Sequence, residues 1–112
     1  MPFINLIVNA ELTADQKAKL LEAVHDVIKS ALGKPDAYIS VNLNVNPFFI
    51  FGKTNDPCAM VQVQAIGGGG QAAASAGITK ALGEVGIKAD RVFCNFQSFS
   101  GKDWAMGGST FG

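Results

Sequence analysis

The chain has 112 residues, enough for one domain, and its nine basic and nine acidic residues cancel to a formal net charge of +0. That balance, with Arg91 as the sole arginine, excludes the basic surface that nucleic acid or anionic lipid requires. Charged residues make up 16%, well under the average of about 25%, while hydrophobics reach 48%; so small a chain cannot bury that much apolar surface alone, and further copies of itself are expected to cover part of it.

In chain order, "PFINLIVNA" (2–10) reads as a strand with Ile4, Leu6 and Val8 on one face. Pro2 is tolerated at a strand's first position. Removal of Met1 would also leave it a free secondary amine. A helix follows: Thr13 and Gln16 fit a capping box, and Leu20, Leu21, Val24, Val27, Ile28, Ala31 and Leu32 form its apolar stripe. Gly33 stops it, with Pro35 just beyond. Ile39, Val41, Leu43 and Val45 mark a second strand, and "PFFIFG" (47–52) reads as a short extra strand or hairpin ending in a turn. Ala59, Val61 and Val63 mark a third strand, and "GGGG" (67–70) precedes a second helix that turns Ile78, Ala81, Leu82 and Val85 inward and stops at Gly86. A fourth strand carries Val92, Cys94 and Phe96. The tail "WAMGGSTFG" (104–112) is too apolar to hang free.

The chain is a duplication. "PFINLIVNA" matches "PCAMVQVQA" (57–65), and "GKPDAYISVNL" (33–43) matches "GIKADRVFCNF" (86–96), with offsets of 55 and 53 residues. Each copy reads strand, helix, strand, giving an α/β domain of two βαβ repeats, 2–46 and 57–99, with a tail at 100–112. Right-handed crossovers place both helices on the apolar sheet face. The other face holds Asn5, Ser40, Asn42, Asn44, Gln62, Gln64, Asn95 and Gln97 among Phe3, Ile7 and Phe93, with no charge. A solvated face would normally carry Lys and Glu, so burial against another subunit is expected there.

Several residues could carry chemistry. A prolyl amine at position 2 is protonated at neutral pH unless burial or a neighbouring cation lowers its pKa, when it can act as a general base. Lys34, in "GKP", can hold a carboxylate and act as that cation; the helix C-terminus alone also favours a lysine there. "IGGGGQAA" (66–73) contains G-x-G-x-x-A, but Asp90 precedes the following strand instead of ending it, so a dinucleotide fold is not indicated. The glycines better suit close backbone approach with N–H groups open to an anion. His25 borders the first helix's stripe and reads as a boundary residue. Cys58 and Cys94 have neither metal nor disulfide spacing, and Val61 at the third residue after Cys58 leaves no C-x-x-C pair. No apolar run approaches the roughly 18 residues of a membrane span, and no basic leader precedes an apolar one, so a cytoplasmic, reduced protein is expected.

Together Pro2, "GKP", "DPCA" (56–59), "IGG" after the third strand, "DRVF-N" (90–95) and the ending "STFG" resemble, in order and spacing across nearly the whole chain, the macrophage migration inhibitory factor and D-dopachrome tautomerase family. The resemblance implies a single domain with a four-stranded mixed sheet, two helices on one face, and a homotrimer. It also implies keto–enol tautomerisation of phenylpyruvate or dopachrome analogues without metal or organic cofactor. By position, Pro2 would be the catalytic base, and Lys34 and the Ile66 backbone N–H would hold the substrate's polar end. Phe93 and Asn95 would come from a neighbouring subunit, and Met106 and Phe111 would line the pocket. Better-known members carry tyrosine at the place of Phe93 and tryptophan at the place of Met106. The family also implies rival readings: a cytokine-like ligand for a protein receptor, leaving cells without a signal peptide and with vestigial tautomerase activity, or another reaction of the superfamily. The latter branches use pocket arginines, and Arg91 stands at a position that reads as structural.

Overall fold

Alternation decides the first element. In β1 (Phe3–Val8) Ile4, Leu6 and Val8 are fully buried while Phe3, Asn5 and Ile7 face the other way, half-buried. The computed structural model describes residues 1–112, and its order is β1, α1 (Ala14–Leu32), β2 (Ser40–Val45), β3 (Ala59–Ile66), α2 (Gln71–Gly83), β4 (Val92–Phe99), then a short hairpin of β5 (Ala105–Met106) and β6 (Ser109–Thr110).

The four long strands form one sheet in the order β2-β1-β3-β4. β1 runs parallel to β2 and β3 parallel to β4, each pair joined through its helix, while β1 and β3 meet antiparallel at the centre. This is the expected pair of βαβ units in a mixed sheet. Both helices cover one face, where Leu20, Val24 and Ile28 of α1 and Ala74, Ile78 and Leu82 of α2 join Ile4, Leu6, Val61 and Val63 in a single core. Each fully buried Leu or Ile contributes on the order of 1.5–3 kcal/mol. The outer strands are covered less: Val41, Leu43, Val92, Cys94 and Phe96 are half-buried against the core.

The start and stop of α1 follow from its caps. The Thr13 hydroxyl accepts from the Gln16 N–H at 3.1 Å, and the Gln16 side-chain oxygen accepts from the Thr13 N–H at 2.9 Å. Gly33 closes the helix in the left-handed conformation, its N–H donating to the Lys29 carbonyl at 3.0 Å. α2 begins at Gly70, which has no capping side chain and a φ of +74°. A Cβ there would clash with the Ala31 carbonyl oxygen, so glycine is what lets α2 start directly against the end of α1. The helix ends at Gly83, earlier than the stop expected at Gly86; residues 84–86 form a turn instead, and Val85 remains packed on the core.

The segment 47–52 is not a strand. Phe51 and Thr54 form one isolated antiparallel bridge around Gly52–Lys53, the smallest hairpin the motif allows. What holds this loop is remote: the Asn9 amide donates toward the carbonyls of Phe49, Asn55 and Asp56, each at 3.1 Å, and its oxygen accepts from the Cys58 N–H at 2.8 Å. Arg91 adds donations to the Phe51 and Asp56 carbonyls at 2.8 and 2.9 Å and lies over the Phe51 ring at 4.9 Å. Its structural reading is thereby supported by contact. The tail closes on itself just beyond β4, with the Phe111 N–H donating to the Gly101 and Trp104 carbonyls at 3.0 and 3.1 Å.

Candidate active site

One end of the sheet gathers the start of β1, the end of β3, the end of α1 and the start of α2. Pro2 stands there, fully buried on the helix side of the sheet, its carbonyl accepting from the Ser40 N–H at 3.0 Å. The strand-start reading of the proline is therefore structurally sound, since β1's ladder opens at Phe3 and loses nothing from a missing N–H. Met1 precedes it, and its amine is held below the ordinary value, first by burial and then by the Lys34 ammonium.

Lys34 reaches this end because Gly33 turns the chain off α1 and Pro35 starts a 3-10 turn over Asp36–Tyr38. β3 overruns its pairing with β1 by two residues, since the last partners are Phe3 and Gln64, and Ile66 therefore borders a cleft beyond that pairing. Lys34, Ile66, the Gly67–Gly69 loop, Gln71 and Ser98 line that cleft, with Lys34 its only charged residue. Its volume is about 30 Å³, room for roughly one water. Pockets for small organic ligands run to about 300 Å³ or more, so an aryl acid would need further walls.

The other predicted residues lie elsewhere. Phe93 stands level with Ile7 through Met60, five residues along from Pro2 or roughly 17 Å in the strand direction. Asn95 is level with Asn5 through Gln62. Both side chains sit on the face away from the helices. On that face the Asn42 amide donates to the Asn5 oxygen at 2.9 Å and the Asn5 amide to the Gln62 oxygen at 3.1 Å, an uncharged ladder crossing three strands toward Asn95. Phe93 stacks on Phe51 at 4.7 Å between centroids yet stays 62% exposed. Met106, on the terminal hairpin, is also exposed.

Phe111, on the tail, meets the ring of Tyr38, in the 3-10 turn that follows Lys34, edge-on at 6.3 Å. Tyr38 was not singled out by the sequence reading; a lone tyrosine three residues after Pro35 gives no local signal, and only the fold sets it beside Phe111. Trp104 packs edge-on against Phe99 at 5.3 Å, and Phe99 is the partner of Ile66. These aromatic pairs tie the tail to the 3-10 turn and to the end of β4, while the aromatic side chain that lines the cleft itself is Phe96.

Neither thiol is activated. Burial raises the Cys58 thiol against the opposing pull of Arg91, and burial pushes Cys94 up to about 11. No group of three or more His, Cys, Asp or Glu side chains converges as a metal site. No helix is long and apolar enough to cross a membrane.

Comparison with known proteins agrees with this fold. The sequence model for Macrophage migration inhibitory factor (MIF) matches residues 1–112. A macrophage migration inhibitory factor homolog of Brugia malayi is 30% identical over 116 residues, covering 100% of both chains. The structure of macrophage migration inhibitory factor from Toxoplasma gondii superposes with a TM-score of 0.90 at 28% identity, over 97% of this chain and 99% of that one. A further protein, solved after inactivation by 2-oxo-3-pentynoate, superposes at 0.87 with 25% identity, over 97% of this chain and 95% of its own.

Proposed function

Because the chain belongs to the macrophage migration inhibitory factor family, within the tautomerase fold, we propose that it is a keto–enol tautomerase of phenylpyruvate-type 2-oxo acids with Pro2 as general base after loss of Met1. The observation that carries this reading is the terminal amine beside Lys34, held below its ordinary pKa by burial and by that ammonium. Removing Met1 moves the amine one residue inward, onto the fully buried Pro2. The inactivation of a structural relative by a 2-oxo acid fits the same substrate class.

In the proposed reaction the neutral prolyl nitrogen takes a proton from the carbon next to the substrate carbonyl. The released C–H pair becomes the carbon–carbon double bond, the carbonyl π pair moves to oxygen, and the prolinium returns the proton to that oxygen. Lys34 holds the carboxylate and stabilises the developing oxyanion, with the Ile66 backbone N–H beside it. Phe111 with Tyr38 forms one aromatic wall. Met106, on the terminal hairpin that leads into Phe111, adds an apolar wall. Phe93 and Asn95 enter as the remaining walls from a second subunit of a homotrimer, which accounts for their distance from Pro2 and for the small cleft of the single chain. No cofactor is required.

Intact-mass measurement paired with a phenylpyruvate assay tests the proposal. The mass should lack Met1, and Pro2→Gly should lose about 100-fold or more in kcat, the usual worth of a general base. Retained Met1 with full activity, or Pro2→Gly as fast as the parent, would overturn it.

A further inference from the structure

Lys34 and Asp36 are separated by one proline, so their Cα atoms lie within roughly 7 Å. Two such side chains can pair, yet Lys34 takes part in none of the chain's ion pairs. The carboxylate is engaged on its other side. Lys29 Nζ donates to Asp36 Oδ2 at 3.1 Å, and His25 Nε2 stands 3.5 Å from Asp36 Oδ1. Both holders sit on α1, one turn apart. Lys29 is doubly placed, because its carbonyl also accepts the Gly33 N–H that ends the helix. Asp36 in turn opens the rigid 3-10 turn closed by Tyr38 N–H to the Pro35 carbonyl at 3.1 Å and Ile39 N–H to the Asp36 carbonyl at 3.2 Å.

We propose that Lys29, assisted by His25, is a positioning residue that keeps the Asp36 carboxylate on the α1 side and so leaves Lys34 unpaired for an anionic substrate. The inference rests on the tautomerase reading for its substrate, but its logic concerns any aryl carboxylate. Freed from Lys29, Asp36 would be the nearest anion along the chain to Lys34. It would then compete for the cation that the cleft offers. The interaction is partly exposed, so a modest effect is expected.

The test uses the full chain with its natural N-terminus. Phenylacetate, a non-reacting aryl carboxylate, is titrated while following the Lys34 ammonium by NMR, and phenylpyruvate turnover is measured in parallel. Lys29→Met should weaken phenylacetate and raise KM for phenylpyruvate by about two- to fivefold, with kcat within about twofold of the parent. Asp36→Asn added to it should restore both, and Asp36→Asn alone should match the parent, because no competing charge remains. A merely structural role for Lys29 would leave the double variant as weak as the single one, which would overturn the proposal. Lys29→Met binding like the parent, Asp36→Asn alone binding more weakly, or a parent that does not bind phenylacetate at Lys34, would overturn it too. A parent that shows the affinity pattern without turning over phenylpyruvate would sink the tautomerase reading and leave this one standing.

Discussion

An ammonium set beside an amine makes the amine's second positive charge costly, and Lys34 does this to the terminal amine in addition to burial. Lys34→Ala removes the cation but not the burial, so the amine's pKa should rise. Catalysis requires the neutral amine, and the acid limb of the kcat/KM profile should therefore move to higher pH, with KM increased about tenfold or more by the lost charged contact. An acid limb that stays in place would mean that burial alone sets the amine. Cys94 gives the opposite sign. Its folded-state thiol is raised from 9.0 to about 11 by burial, so the folded chain holds a proton that the unfolded chain releases. The corresponding stability is fully present below about pH 9 and is lost as pH rises toward about 11. Urea midpoints at pH 8 and 10.5 should differ for the parent and differ less for Cys94→Ala.

Between α1 and α2 the fit is set by glycines. A methyl at Gly70 would meet the Ala31 carbonyl oxygen, and one at Gly77 would reach the Val27 Cγ1 at 2.6 Å. Gly70→Ala combines that clash with a left-handed backbone and should cost about 2–4 kcal/mol, while Thr13→Ala, which removes only the capping box, should cost about 1 kcal/mol in denaturant unfolding. These elements also mark where sequence is informative. The caps of α1 and the alternation of the strands are written in residues three or two apart, and both repeats, the helix-covered face and the uncharged face were legible from them. The loop at 46–57 was not, because Asn9 and Arg91 hold it from about 40 residues away by donating to carbonyls that no side-chain pattern reveals. Pro2, Lys34 and Ile66 were legible as motifs that the fold then brought to one end. Tyr38 was missed for the same reason as the loop, since its partner Phe111 lies far along the chain.

At the scale of the molecule, a face of neutral amides carrying an exposed Phe93, together with Phe48 at 93% and Ile50 at 65% exposure, is too apolar to stay wet in a chain with so few charges. In the proposed homotrimer, a lysine placed in the amide ladder would bring like charges together around the threefold axis. Gln62→Lys is expected to shift the light-scattering mass from three chains to one and to lose activity with it. Mixing tests whether the site itself crosses subunits. Pro2→Gly lacks the base but keeps Asn95; Asn95→Ala keeps the base and should lose about tenfold or more in kcat/KM. If Asn95 serves a neighbour's Pro2, random co-refolding of the two variants regenerates about one parental site in four, because a site is intact when a Pro2-bearing chain meets an Asn95-bearing one. If each site is built within one chain, no parental site can form and the mixture stays at the average of its parts. Recovery of roughly a quarter of parental activity would thus place Asn95 across the interface, and its absence would return the site to the single chain, where the cleft beside Lys34 is about 30 Å³.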